Sequence, residues 1–117
     1  MSYVDGYLIP VKKTKINAYK KMAKLGCKIW MEHGALQYFE CVGANLKSPW
    51  GTPFAKVYKL KANETLIFAF IIYKNKAHRN KVVKKVYADP RMQAQNGEMP
   101  FDMKRFSVGE FKAVVEA

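Results

Sequence analysis

An unbroken run of aliphatic, aromatic and β-branched residues, Thr65-Leu66-Ile67-Phe68-Ala69-Phe70-Ile71-Ile72-Tyr73, restricts this chain more than any other feature. Such a run is too short to cross a bilayer as a helix. Rich in Ile and Phe and closed by Lys74-Asn75-Lys76, it reads as a strand buried on both faces. Alternation puts Leu66, Phe68, Phe70 and Ile72 on one face and Ile67, Ala69, Ile71 and Tyr73 on the other. Helices can cover one of these faces. What covers the second separates the candidate functions.

The flanking sequence supplies the helices. Tyr3 to Pro10 reads as a first strand that Pro10 ends by removing a donor. Its Val4, Gly6 and Leu8 are expected against the helices, with Tyr3, Asp5 and Tyr7 opposite. Thr14 is a good N-cap, after which Ile16, Tyr19, Ala23, Cys27 and Trp30 recur at helical spacing. Gly34 is placed to end that helix in the left-handed region. Leu36 to Val42 makes a second strand, with Leu36, Tyr38, Glu40 and Val42 on one face. Its other face, with Phe39 and Cys41, is expected to pack on the helices. Residues 43–53 carry Gly43, Pro49, Gly51 and Pro53 and read as loop. Phe54 to Lys61 reads as a short extra strand or an extended arm.

A second helix is expected over Lys76–Ala88, with Val82, Val83, Val86 and Tyr87 inward and Asp89-Pro90 closing it. Residues 91–103 lack periodicity, and Met92, Met99, Phe101 and Met103 are expected to patch an edge of the core. Lys104 to Val115 reads as the last strand. The order β-α-β-β-α-β is the ferredoxin-like arrangement: an α+β fold with a four-stranded antiparallel sheet and both helices on one face. Its length fits a single domain over residues 1–117.

The start has no basic segment followed by an apolar one, and no stretch is long enough for a membrane span, so a cytoplasmic location without membrane association is expected. Cys27 and Cys41 are expected to be buried thiols rather than a disulfide. No Cys or His spacing fits a metal site, and no Gly-rich phosphate loop calls for a cofactor. The net charge of +12 attracts anions. Lys20, Lys24 and Lys28 form a charged row on the first helix. Lys81, Lys84 and Lys85 do so on the second.

A bare apolar sheet face has two common solutions. A second copy can cover it, or single-stranded RNA can stack on its aromatics. Phe68-Ala69-Phe70-Ile71-Ile72-Tyr73 fits the last six positions of the RNA-recognition signature if Ile stands for Val. Leu66 and Ile67 stand where that signature needs a basic residue and Gly. The RNA reading is therefore the alternative, and the homodimer leads.

Several segments resemble the YbaA-like family of small bacterial proteins of uncharacterised function. They include Met1-Ser2-Tyr3-Val4-Asp5-Gly6, Trp30-Met31-Glu32-His33-Gly34-Ala35-Leu36, Glu40-Cys41-Val42-Gly43, Ala77-His78-Arg79, Ala88-Asp89-Pro90-Arg91 and Met99-Pro100-Phe101-Asp102. The resemblance implies a dimeric α/β barrel, built from two ferredoxin-like sheets face to face. It implies no established activity. The strong basicity of this chain departs from the family pattern.

In such a barrel, Asp5 and Tyr7 on the first strand and Tyr38 and Glu40 on the second are expected to line a cavity. There a small molecule could bind or react without a cofactor. A carboxylate in an apolar pocket has its pKa raised and can act as a base. Asp5, Tyr38, Glu40 and His33 are thus the candidate catalytic residues. The competing reading pairs the carboxylates with Arg79 or Arg105 as structural ion pairs, and has His33 cap its helix. Arg79 lies within the apolar stripe of its helix and needs a carboxylate there.

Overall fold

The computed structural model describes residues 1–93 and 99–117. Part of the aperiodic stretch 91–103 therefore lies outside the described residues. Four strands, β1 (Tyr3–Lys12), β2 (Gln37–Val42), β3 (Glu64–Tyr73) and β4 (Ser107–Lys112), form one antiparallel sheet in the order β2-β3-β1-β4. Two long helices, α1 (Ile16–Glu32) and α3 (Lys76–Ala88), join them. Two short ones are α2 (Phe54–Val57) and α4 (Pro90–Gln93). The fold is α+β and ferredoxin-like, as the element order implies.

The apolar run is β3, a central strand flanked by β1 and β2. Its Ile67, Ala69, Ile71 and Tyr73 are all buried, in the layer where Tyr19, Ala23, Ile29 and Trp30 of α1 and Val82 and Val86 of α3 also lie. The opposite parity is open: Phe68 is half exposed, and Phe70 and Ile72 are partly buried.

The cross-strand register overturns the face assignments made for the neighbouring strands. Tyr3, Asp5 and Tyr7 pair with Tyr73, Ile71 and Ala69, so they face the helices. Val4, Gly6 and Leu8 lie on the open face instead. On β2 the helix-facing pair is Tyr38 and Glu40, while Phe39 and Cys41 are exposed on the open side. The reason is that the helix–sheet layer is polar at specific points. Tyr73 accepts a bond from Trp30 (3.0 Å) and donates to Asp5 (3.0 Å), and Tyr3 donates to Glu110 (2.6 Å). Phenols and a carboxylate can occupy a core once each polar atom has a partner.

Other boundaries move for local reasons. β1 runs on through Pro10 to Lys12, because β4 pairs with β1 only as far as Leu8 and β1 is an edge strand beyond that point. Lys13–Lys15 forms a 3₁₀ turn, and α1 begins without a side-chain cap, so Thr14 does not serve as one. Gly34 does close α1, at φ 110°, with the Ala35 N–H returning to the Trp30 carbonyl. Residues 54–57 are helical rather than extended, opened by Pro53. α2 packs against β3. β4 is shorter than expected. Both cysteines are free; Cys27 is partly buried and Cys41 is exposed.

Candidate functional site

Period two on β2 sends Tyr38 and Glu40 to the same side, beneath α1. Glu40 stands opposite Ala69 on β3, and Ala69 stands opposite Tyr7 on β1. Three neighbouring strands therefore present Glu40, a methyl group and Tyr7 in one row. The small residue in the middle leaves a floor with nothing standing on it. Small residues open the roof too: Ala23 and Gly26 of α1 line the space between the larger Tyr19, Met22 and Trp30 of the same helix. The result is a cavity of about 440 Å³, walled by Tyr7, Tyr38, Glu40, Met22, Phe101 and Phe106 among others. A second cleft of about 410 Å³ carries Lys20, Lys24 and Cys27 in its wall. The two spaces share Tyr19, Ala23, Tyr38 and Glu40.

Glu40 is bound by phenols, with no cation paired to it among the described residues. Tyr19 donates to Oε1 (2.7 Å) and Tyr38 to Oε2 (2.8 Å). Burial raises the Glu40 pKa above its ordinary 4.5, and the two phenol bonds offset only part of that. Burial, reinforced by the bond to Glu40 and by its charge, pushes both phenols far up, so they remain protonated donors. Gly26 allows this arrangement: a Cβ there would lie 3.1 Å from the Tyr38 hydroxyl. The glycine inside α1 is thus a place of close approach.

Each Glu40 oxygen accepts one phenol hydrogen and keeps capacity for another. Tyr7 is the complementary group. Its phenol is raised by burial, and no hydrogen bond to it is found among the described residues. From the register, Tyr7 and Glu40 are two strand spacings apart, roughly 10 Å between backbones. That gap accommodates a ligand that touches a proton acceptor at one end and a free donor at the other.

The sequence candidates divide. Tyr38 and Glu40 are at the cavity. Asp5 is not among its lining residues: it is 1% exposed and bound by Tyr73 (3.0 Å) and by Arg79 Nε (3.2 Å to each oxygen). Arg79 thus has the structural carboxylate that its place in the apolar stripe demands. His33 lies at the end of α1, with Nε2 2.8 Å from Asp89. Arg91 joins the same Asp89 (2.8 Å) to Glu32 (2.6 Å), so the cluster ties the end of α1 to the segment after α3. His33 lines neither cavity. Tyr19 is the site residue that the sequence reading left in the core. Its signal is that a buried phenol needs a partner, and Glu40 is that partner.

The family profile of DUF1428, proteins of unknown function, matches residues 2–103. The chain belongs to the DUF1428 family. The uncharacterized protein YbaA of Escherichia coli K12 is 34% identical over 116 residues, covering 99% of each chain. YbaA of Shigella flexneri matches to the same extent. Both similarities bear out the resemblance read from the sequence segments. Among solved structures, a dimeric ferredoxin-like protein from an uncultured marine organism matches with a TM-score of 0.56 and 12% identity, over 100% of both chains. That likeness supports the fold. It leaves the chemistry of this DUF1428 member to its own residues.

Proposed function

We propose that this protein is a homodimer that binds a small, mostly apolar molecule in the cavity beneath α1, with Glu40 as proton acceptor and Tyr7 as the orienting donor. The observation that carries this reading is Glu40 itself: a carboxylate under desolvation, held by two phenols, with no cation, in the wall of two cavities. A purely structural carboxylate is more economically matched by Arg, as Asp5, Glu64 and Asp89 are. The chemistry that fits is cofactor-independent proton transfer on an enolisable carbonyl compound. Glu40 takes the C–H proton, and Tyr7 donates to the oxygen that gains charge. Asp5 and His33 have no part in this reading, since Asp5 is held by Arg79 and Tyr73 and His33 is bonded to Asp89.

The dimer rests on the open face. Val4, Leu8, Phe39, Phe68, Phe70, Ile72 and Phe111 share it, with Phe39 and Phe70 stacked at 4.8 Å. Phe111 lies over Gly6 and Gly109, 3.1 and 3.3 Å from where their Cβ atoms would be. Across the central part of that face there is no charged side chain to meet a phosphate. A second copy therefore fits it better than single-stranded RNA. The marine relative in fold is described as dimeric, which agrees.

The test is solvent exchange. A panel of cyclic and aromatic enolisable ketones is incubated in deuterated buffer, and C–H loss is followed by NMR. The wild-type protein should accelerate exchange of at least one compound, and Glu40→Gln should abolish it. Chemical shifts of Tyr7 and Tyr38 should move on addition of the same compound. Exchange no faster than buffer across the panel, with no perturbation at these tyrosines, refutes the reading.

A further inference from the structure

The basic residues of this chain are divided by type. All three arginines are spent on carboxylates: Arg79 on Asp5, Arg91 on Asp89 and Glu32, and Arg105 on Glu64 and Asp102. No lysine takes part in an ion pair among the described residues, and every lysine is exposed. Among the described residues the acids are held by the arginines or by phenol, hydroxyl or imidazole partners. The net charge of +12 is therefore carried by unpaired lysines.

Those lysines cluster on one side of the sheet. Residues 13–32 and 76–88 hold Lys13, Lys15, Lys20, Lys21, Lys24, Lys28, Lys76, Lys81, Lys84 and Lys85, against the single acid Glu32, which Arg91 already holds. Lys20, Lys24 and Lys28 repeat every four residues, about 6 Å apart along α1. The buried stripe of Tyr19, Ala23, Gly26 and Trp30 turns that row outward. The other side of the sheet is the uncharged face already assigned to a second copy. In that dimer both lysine faces point away from the interface.

We infer that the outer face of α1 and α3 binds the phosphate backbone of a nucleic-acid duplex, without reading its sequence. Unpaired lysines are point charges suited to phosphate and lack the planar fork that reads guanine edges. The 17 residues of α1 span about 25 Å, over which a duplex presents on the order of 15 phosphates. The α1 row of Lys20, Lys24 and Lys28 has no exposed aromatic side chain beside it on which unstacked bases could lie, since Tyr19 and Trp30 of that helix are buried, which favours a duplex over a single strand. They also lack an apolar stripe to enter a lipid surface, since the apolar stripe of α1 is buried against the sheet. This inference stands independently of Glu40.

The experiment is fluorescence anisotropy with a labelled duplex of about 20 base pairs, over a salt series, with the unmodified protein and two variants. Binding should be tight at low salt, indifferent to base sequence, and lost steeply as salt rises. Each phosphate neutralised contributes about −0.9 to the slope of log affinity against log salt. Lys20→Gln/Lys24→Gln/Lys28→Gln should therefore flatten the slope by about 2.7 while leaving the melting temperature unchanged. Lys47→Gln/Lys56→Gln, away from both helices, should leave the slope as it was. Absence of binding at low salt, or an unchanged slope in the triple variant, overturns the inference. So does lysine-dependent capture by phosphatidylserine vesicles that the duplex fails to displace.

Discussion

Replacing Arg79 by Met isolates the most enclosed ion pair in the molecule. Asp5 sits at 1% exposure beneath α3, and its oxygens accept from Arg79 Nε at 3.2 Å each and from Tyr73 at 3.0 Å. Without the guanidinium, the carboxylate keeps one phenol donor and loses its counter-charge. Breaking a buried pair from one side costs about 3–5 kcal/mol. Arg79 retains 23% side-chain exposure, so water can reach the vacated side, and the lower end, about 3 kcal/mol, is expected. A chain of this length has an unfolding entropy near 250 cal/mol/K, so the melting temperature should fall by about 12 °C. Thermal unfolding followed by circular dichroism at equal protein concentrations measures it, since the melting point of the proposed dimer would depend on concentration. The second arm is Asp5→Asn/Arg79→Met. The amide oxygen still accepts from Tyr73 but carries no charge, so more than half of the loss should return. A single variant that melts within about 3 °C of wild type, or a double variant no better than the single, refutes the account of this pair.

Glu40→Gln should change the pH dependence of stability. The Glu40 pKa is raised by folding, so the folded state holds its proton more tightly than the unfolded state. Its contribution is complete below about 4.5 and declines as pH rises through the folded value; the variant should lack that decline in urea titrations run from pH 4 to 8. Phe70→Glu places a carboxylate at the centre of the uncharged face. Light scattering should then give about 13.4 kDa instead of twice that, and an unaltered dimer would place the interface elsewhere. Gly26→Val should displace the Tyr38 hydroxyl, and the bond to Glu40 with it, because even a Cβ there comes within 3.1 Å of that oxygen. The Tyr38 titration, followed by ultraviolet absorbance, should move down toward the ordinary value of 10.0.

The fold was legible because β3 can be little else: a run too short for a membrane and too uniformly β-branched and aromatic for a surface helix. Helix boundaries followed from Gly34 and from Asp89-Pro90. Which face the helices cover was not legible from parity. Both faces of β3 are apolar, so they do not vote. On β1, the face with Asp5 looks like the wetter one until Arg79 and Tyr73 are known to meet it there. Reading Val4, Gly6 and Leu8 as helix-packing followed from the rule that polar groups face water, and the rule fails where each polar atom has a buried partner. Tyr38 and Glu40 share a face by alternation alone, so that half of the site was visible. Tyr19 was not, because its hydroxyl reaches Glu40 across twenty-one positions of sequence. A cavity was expected at Tyr7, Tyr38 and Glu40, but its shape was not legible, for a further reason. It is made by what Ala69, Ala23 and Gly26 lack, and small residues leave no signature in a hydropathy pattern.

The division between arginines that clasp and lysines that stand free uncouples two properties usually tied together. Arginine–acid pairs join segments distant in the chain: α3 to β1 through Asp5, the end of α1 to the segment after α3, and the approach to β4 to the start of β3 through Glu64. Among the described residues no lysine side chain takes part in an ion pair. Architecture and isoelectric point are therefore separate design variables in this scaffold. A version with most lysines exchanged for glutamate or glutamine could cross from strongly basic to acidic while every clasp stayed intact. Such recoloured copies, mixed with the original, would present identical interior cavities inside shells of opposite sign.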